Sequence, residues 1–178
     1  MLPRRSDVRA FLGIGSNQGD RAGHLLRCVE ELRERCVVVV RASAVYSTAY
    51  VGPGPNQPEY LNAVLEVTTS LDATELLTVT QEIERRQGRL PDTHMQPRTL
   101  DIDILFFGNE IRSDERLQLP HPRLAERRFV LEPLAELGVL AQLPVGGLHE
   151  RLEELRRQQA VTLFAEWSSL KEKCGLRV

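Results

Sequence analysis

Apolar periodicity in this chain alternates between a strand-like period of two and a helix-like period of about 3.6, and this alternation restricts the fold more than any other feature. It gives the order strand, helix, strand, strand, helix, strand, which is the order of a ferredoxin-like α+β sandwich. Hairpin and helical connections of moderate length favour a mainly antiparallel sheet with flanking helices. The predicted elements are strands at 8–14, 37–50 with a kink expected at Arg41, 60–70 and 99–108, and helices at 20–35 and 72–88.

The segment after the last of these strands has a less regular pattern. Gly108 and Asn109 form a turn signal, and residues 110–112 are expected to return as a short edge strand. Helical spacing of apolar residues resumes further on. The later elements are predicted as helices at 129–138 and 148–159 and a short apolar run at 161–164.

The composition is that of an ordinary globular protein. We expect all 178 residues to form one domain, folded over about 8–167, with mobile termini at 1–7 and 168–178. No window approaches about 20 apolar residues, as a membrane span requires, and a net charge of -2 does not indicate a nucleic-acid binder. Three cysteines without a CxxC pair fit reduced thiols. We expect a cytoplasmic monomer that binds small molecules and neither nucleic acid nor membrane.

Two aspartates alternate within the most strand-like segment, TLDIDILFFG at 99–108. Residues two apart in a strand point to the same face, so Asp101 and Asp103 share one face and their apolar neighbours share the other. Neighbouring carboxylates repel, and a cation between them would relieve the repulsion. Mg²⁺ is the natural candidate when phosphates share the site. For such a pair taken alone, a solvated sheet face is the alternative.

Arginines cluster shortly before these aspartates. Arg85 and Arg86 could equally pair with acidic residues on the surface of their own helix, whereas Arg89 and Arg98 bracket a polar loop. A polar loop that carries arginines is suited to closing over a polyphosphate and neutralising its charge.

The common phosphate-binding motifs are missing from the sequence. There is no GxxxxGK[ST] run, and the first lysine is Lys171, so the P-loop is absent. Gly13 and Gly15 lack the third glycine of a dinucleotide fingerprint, and the protein-kinase loop set is missing. Composition and spacing therefore leave a metal-dependent transfer enzyme outside those classes.

Five separated segments form an ordered set of motifs that covers the chain from about Val8 to Trp167. They are FLGIGSN at 11–17, YSTAYVGPGPNQPEYLNAV at 46–64, QEIERRQGR at 81–89, PRTLDIDILFFGN at 97–109 and LPHPRLAERRFVLEPLAEL at 119–137. Together these motifs resemble those of the 6-hydroxymethyl-7,8-dihydropterin pyrophosphokinase family of folate biosynthesis.

The resemblance implies a reaction and a set of catalytic residues. The β,γ-pyrophosphate of ATP, the co-substrate, would pass to the hydroxymethyl group of the pterin, and AMP would be released. Two Mg²⁺ ions would bind Asp101 and Asp103. Arg89 and Arg98 would join the aspartates as catalytic residues that contact the phosphates. Catalysis would come from alignment and charge neutralisation, without a covalent intermediate.

The resemblance also assigns residues to each substrate. The ATP set is Gln81, Glu84, Arg89, Arg98, Ile104, Arg116, His121 and Arg127, and the pterin set is Thr48, Ala49, Val51, Tyr60, Asn62 and Phe129. On their own, Gln81 and Glu84 would be an ordinary exposed helix face, and Tyr60 and Phe129 would be core. Asn62 is harder to explain as packing, because a half-buried amide needs hydrogen-bond partners.

The loop before the aspartates departs from the family pattern. The family usually has Arg-Trp-Gly-Pro-Arg there, whereas this chain has HMQPR at 94–98, and Gln96 stiffens the backbone relative to glycine. We expect a less tightly sealed lid and slower or weaker use of ATP, with the metal site retained. Two alternatives stay open: a homologue that binds pterin or nucleotide without turnover, and a ferredoxin-like interaction module unrelated to pterins.

Overall fold

The computed structural model describes residues 6–49, 57–89 and 97–173, which form a six-stranded sheet, a separate two-stranded sheet and five helices. The strands are β1 Val8–Ser16, β2 Val37–Ala42, β3 Val45–Thr48, β4 Tyr60–Thr69, β5 Asp101–Phe107, β6 Arg112–Ser113, β7 Gln118–Leu119 and β8 Thr162–Ala165. The helices are α1 Arg21–Arg33, α2 Ala73–Arg86, α3 Arg128–Glu136, α4 Leu148–Gln158 and α5 Trp167–Lys173.

The strand order confirms the predicted fold class. The main sheet runs β5-β1-β4-β3-β8, with β2 also paired to β4, and the paired strands are antiparallel. Helices α1 and α2 follow β1 and β4, as the alternating sequence pattern predicted. The start of α2 also agrees with its local signal, because Asp72 and Glu75 form the reciprocal hydrogen bonds of a capping box.

The segment predicted as one strand at 37–50 forms two strands within the described residues. The irregularity expected at Arg41 is a shift of register between Val39 and Arg41, where β2 pairs with β4. A break then follows at Ser43 and Ala44, because the Ser43 hydroxyl accepts a hydrogen bond from Val64 N and donates one to Ala44 O. As a result β2 and β3 follow one another along the same edge of β4, where β2 pairs with residues 65–69 and β3 with residues 60–62.

Apolar side chains fill both faces of the sheet. Leu12 and Leu65 point to one face and pack with helices α1 and α2, through residues such as Leu25. Phe11 and its neighbours point to the other face and pack with helices α3 and α4. Since β1 is covered on both faces, any polar group at its carboxyl end lies at the rim of a rigid scaffold.

Two expectations about the second half of the chain need correction. The short edge strand predicted at 110–112 is displaced, because β6 begins at Arg112 and pairs with β7 in a separate sheet. Trp167–Lys173, most of which was expected to belong to a mobile terminus, forms helix α5, and its Leu170 is fully buried in the core. The sequence missed this helix because seven residues are too few to display a helical period. Residues 1–5 and 174–178 lie outside the described ranges, and the single domain stays a prediction.

Among the helices of the described residues, none is long and apolar enough to cross a membrane.

Candidate functional site

Asp101 and Asp103 lie on the same face of β5, as their spacing predicted. In the sheet register Asp101 is opposite Gly15 of β1, and Asp103 is opposite Gly13. Ile102 points to the other face and is buried there. Both carboxylates are partly exposed, with 27% and 36% of the side-chain surface accessible. They stand at the rim of the sheet, where a ligand can reach them.

Guanidinium groups neutralise both aspartates. Arg89 Nη1 and Arg98 Nη1 each lie 2.8 Å from Asp101 Oδ1. Arg127 Nη1 donates to Asp103 Oδ2 at 3.0 Å. Arg127 directly precedes α3, so the two aspartates are held by arginines from opposite sides of the fold. The structure thus brings together all four residues predicted to be catalytic.

His121 completes the surroundings of Asp103. Its backbone N donates to Leu105 O at 3.0 Å, which fixes the chain beside β5, and its Nε2 lies 3.8 Å from Asp103 Oδ2. Burial lowers the pKa of His121, whereas burial and the nearby Asp101 charge raise the pKa of Asp103. Both shifts are in the direction of the neutral form.

Glu84 is buried, which differs from the exposed helix face that its sequence context suggested. Its Oε1 accepts a hydrogen bond from Ile102 N at 2.7 Å and also pairs with Arg89. Burial and the Asp101 charge raise the pKa of Glu84 to about 7. Gln81, one turn earlier, is exposed. Glu84 therefore fastens α2 to the backbone between the two aspartates, while Gln81 points outward.

Asn17, the last residue of the FLGIGSN motif, contributes to the site although the motif predicted no role for it. Its Oδ1 accepts from Arg98 N at 2.7 Å, and its own N donates to Arg98 O at 3.1 Å. Its Nδ2 donates to Gln57 Oε1 at 3.0 Å and lies 3.4 Å from Pro58 O. Asn17 is 1% exposed. Its hydrogen bonds connect the segment before β5 to the segment before β4. An asparagine directly after a buried strand was the available signal.

A cavity of about 590 Å³ opens beside this buried amide. Its lining residues are Asn17, Gln18, Gly19, Arg21, Pro58, Glu59 and Pro97.

Three of the six predicted pterin residues meet at the start of β4. Asn62 is 6% exposed, and its Nδ2 donates to Thr48 Oγ1 at 2.8 Å. Thr48 is opposite Tyr60 in the β3–β4 register, so these three side chains share a sheet face. Ala49 is exposed at the end of β3. Val51 lies outside the described residues.

Phe129, the other aromatic residue predicted for the pterin, lies at the first turn of α3. It is partly buried against the second core, and Arg127 Cζ lies 5.6 Å from the centre of its ring. Arg127 therefore contacts both Phe129 and Asp103. This arginine links the aromatic ring predicted for the pterin with a carboxylate predicted for the metal.

Two of the residues predicted to bind ATP lie away from this cluster. The Ile104 side chain is 4% exposed and packs in the core on the opposite face of β5, so a direct contact with nucleotide would have to come from its backbone. Arg116 is exposed in the turn between β6 and β7, where its N donates to Asp114 Oδ1 at 2.9 Å.

Comparison with known proteins identifies the family. The model of the 7,8-dihydro-6-hydroxymethylpterin-pyrophosphokinase (HPPK) family matches residues 11–139. The chain belongs to this family. The HPPK of Bacillus subtilis is 44% identical over 129 residues, covering 72% of this chain and 77% of that protein. The HPPK of Methylorubrum extorquens is 43% identical over 141 residues, covering 79% and 87% respectively.

The fold of this HPPK chain is also found in solved structures. A variant of Plasmodium falciparum HPPK-DHPS, solved with pterin and p-hydrobenzoate, matches with a TM-score of 0.64 at 15% identity. The match covers 98% of this chain and 47% of the other, so our chain spans about half the length of that protein. At this identity the likeness supports the fold alone.

The donor set of this HPPK chain fits Mg²⁺. No group of three or more metal-binding side chains forms within the described ranges. Mg²⁺ is commonly held by one or two carboxylates, with water and substrate phosphates completing its shell. Asp101 and Asp103 offer such a pair of oxygen donors, side by side and partly exposed. The family implies ATP as co-substrate.

Proposed function

We propose that the chain transfers the β,γ-pyrophosphate of ATP to the hydroxymethyl group of 6-hydroxymethyl-7,8-dihydropterin and releases AMP. The pterin oxygen would bond to the β-phosphorus as the bond from that phosphorus to the α,β-bridging oxygen breaks, and the hydroxyl proton would be lost. One observation carries the proposal. Asp101, surrounded by arginines, lies in the same cross-strand row as the buried amide of Asn62, with only β1 between them.

The arginines supply the phosphate side of the mechanism. Arg89 and Arg98 share one oxygen of Asp101 in the structure, so each guanidinium has further N–H groups to offer to phosphate oxygens. Two Mg²⁺ ions held by Asp101 and Asp103 would offset phosphate charge and help to ionise the attacking hydroxyl. Asn17 holds the backbone of Arg98 in place, and Glu84 holds the guanidinium group of Arg89. Charge neutralisation then comes from groups that are already positioned.

The pterin would lie between β4 and α3. Tyr60 and Phe129 offer aromatic surfaces for a flat heterocycle, and Asn62 offers the donor and acceptor of its amide. Thr48, Ala49 and Val51 would complete this subsite from the end of β3. The separation between Asn62 and Asp101 by a single strand favours direct transfer between the two subsites.

The rest of the ATP set is proposed with roles that fit its positions. Arg127 and His121 would meet phosphates next to Asp103. Gln81, Glu84, Arg116 and the backbone of Ile104 would lie on the nucleoside side. We also propose a cytoplasmic monomer. Family membership, with both aspartates and their arginines in place, favours an active enzyme over the catalytically silent alternative.

The decisive experiment identifies the nucleotide product. With Mg²⁺, ATP and the hydroxymethyl-dihydropterin, we expect AMP to accumulate together with the pterin diphosphate. Accumulation of ADP would instead indicate transfer of a single phosphoryl group, and binding of both substrates without any AMP would indicate a silent homologue.

Variants of the aspartates test the assigned roles. Asp101→Ala and Asp103→Ala should each lower turnover by on the order of a thousandfold, as loss of a group that stabilises transition-state charge does. Their affinity for pterin should be largely retained. Asp7→Ala, an exposed aspartate just before β1 and at the opposite end of that strand from Gly15, is the matched control and should keep wild-type turnover. Retention of most of the rate by either site variant would refute its role.

A further inference from the structure

Gly15 lies between the two proposed substrate subsites. Its register neighbours are Asp101 on β5 and Asn62 on β4. Since neighbouring strands are about 4.8 Å apart, roughly 10 Å separates these two residues across β1. Gly15 is therefore the position of β1 that separates the phosphate-side carboxylate from the pterin-side amide.

The carboxamide of Asn62 occupies the space that a side chain at position 15 would need. A Cβ atom on Gly15 would lie 2.8 Å from Asn62 Oδ1 and 3.7 Å from Tyr60 Cδ1. The first distance is shorter than real Cβ contacts. Gly15 also belongs to a regular antiparallel strand and does not have a positive φ. The position therefore depends on the missing side chain and not on the backbone freedom of glycine.

A second contact fixes the direction of this carboxamide. Asn62 Nδ2 donates to Thr48 Oγ1 at 2.8 Å, which directs the amino group towards β3. The carbonyl oxygen then lies on the other side, over Gly15 of β1. The terminal torsion of asparagine is soft, so these neighbours, and not the torsion, set the plane of the amide.

We infer that Gly15 is a positioning residue for pterin recognition. By lacking a side chain, it lets the Asn62 carbonyl lie over β1, on the side that faces the phosphate subsite. The inference rests on the proposed function, because it takes Asn62 as the amide that reads the edge of the pterin. An alanine at position 15 would displace Oδ1, which is the mobile end of a side chain, and would leave the sheet intact. Recognition would be lost while the fold is kept.

The chain offers a matched control in Gly13. This residue lies two positions earlier on the same strand and the same face, next to Asp103. A Cβ atom there would have Leu105 Cδ2 as its nearest neighbour, at 3.4 Å, which is an ordinary van der Waals contact. Gly13→Ala therefore makes the same chemical change without displacing an amide.

The test measures pterin and nucleotide affinity separately by calorimetry. The dihydropterin substrate is titrated in the presence of Mg²⁺ and a non-hydrolysable ATP analogue, and the analogue is titrated in a second series. We expect Gly15→Ala to weaken pterin binding by on the order of 10- to 100-fold, the loss typical of a broken buried hydrogen bond. Affinity for the ATP analogue should stay within about twofold, and Gly13→Ala should bind pterin as the wild type does.

A double variant tests whether Gly15 acts through Asn62. If it does, Gly15→Ala should add almost nothing to the loss already caused by Asn62→Ala, because both changes remove the same interaction. Additive losses would overturn the inference, as would unchanged pterin affinity in Gly15→Ala. An equal loss of affinity for the ATP analogue would also overturn it, since that result would mean general damage to the site.

Folding of each variant is checked by circular dichroism and thermal unfolding. If Gly15→Ala does not fold, Thr48→Val decides, because it releases the other end of the Asn62 amide without adding volume over β1. Unchanged pterin affinity in a folded Thr48→Val protein would then overturn the inference. If the wild-type protein binds pterin but makes no AMP, the proposed function is refuted. The comparison of pterin affinities can still be interpreted in that case, because it requires binding only.

Discussion

Replacing Glu84 by glutamine removes the charge of a buried carboxyl group while leaving an oxygen that can accept from Ile102 N. The carboxyl ionises near its ordinary pKa of 4.5 in the unfolded chain, whereas burial and the Asp101 charge raise its pKa to about 7 in the folded protein. The folded state therefore holds the proton more tightly than the unfolded state. The stability that this proton contributes is complete below about pH 4.5 and is lost as the pH rises to about 7.

The size of the effect follows from the two values. Each pKa unit corresponds to about 1.4 kcal/mol, so the free energy of unfolding of the wild type should fall by about 3 kcal/mol relative to Glu84→Gln across this range. The side chain is 7% exposed, so screening by solvent should not erase the difference. Above about pH 7 the two stability curves should run parallel.

Urea unfolding of the metal-free protein, followed between about pH 4 and about pH 8, measures this difference. Glu82→Gln is the matched control: it lies two residues earlier on α2, and its side chain is 49% exposed, so its curve should stay parallel to that of the wild type. If the Glu84→Gln curve also ran parallel to the wild type from acid to neutral pH, burial of an ionisable group at this position would be refuted.

Two further predictions concern stability alone and are measured by the same denaturation at neutral pH. Asp72→Ala removes the capping box of α2 and should lower the free energy of unfolding by about 1 kcal/mol, whereas Asp72→Asn, which keeps a capping oxygen, should lose less; equal losses would contradict the capping role. Glu66→Ala leaves Arg9 and Arg41 without the nearly buried carboxylate that accepts hydrogen bonds from both. This change should lower the free energy of unfolding by about 2 kcal/mol. An unchanged midpoint of unfolding would mean that water replaces these bonds without loss of stability.

Features that depend on near neighbours in sequence could be predicted. The alternation of Asp101 and Asp103 within an apolar strand fixes their common face, whatever the rest of the fold does. The capping box of α2 needs only a pair of residues three apart. The order of strands and helices likewise predicted the mainly antiparallel sheet, because each connection is set by its own local pattern.

Features that depend on contacts between distant segments could not be predicted. Asn17 is 81 residues from Arg98, and Glu84 is 18 residues from Ile102, so no local pattern records these hydrogen bonds. The local pattern around Glu84, taken alone, indicates an exposed helix face, whereas its carboxyl group is buried against a strand that comes later in the chain. Leu170 likewise becomes core only because the sheet has already formed a surface for it.

The charges of the site agree with the proposal that ATP is used together with Mg²⁺. Its described part sets three carboxyl groups against three guanidinium groups: Glu84, Asp101 and Asp103 against Arg89, Arg98 and Arg127. Each of these partly buried carboxyl groups is therefore paired with a guanidinium group. A free triphosphate would draw guanidinium groups away and leave carboxylates unpaired, which is costly in a partly buried site. Divalent cations on Asp101 and Asp103 would replace the departing arginines, so the same two carboxylates would stay neutralised in both states.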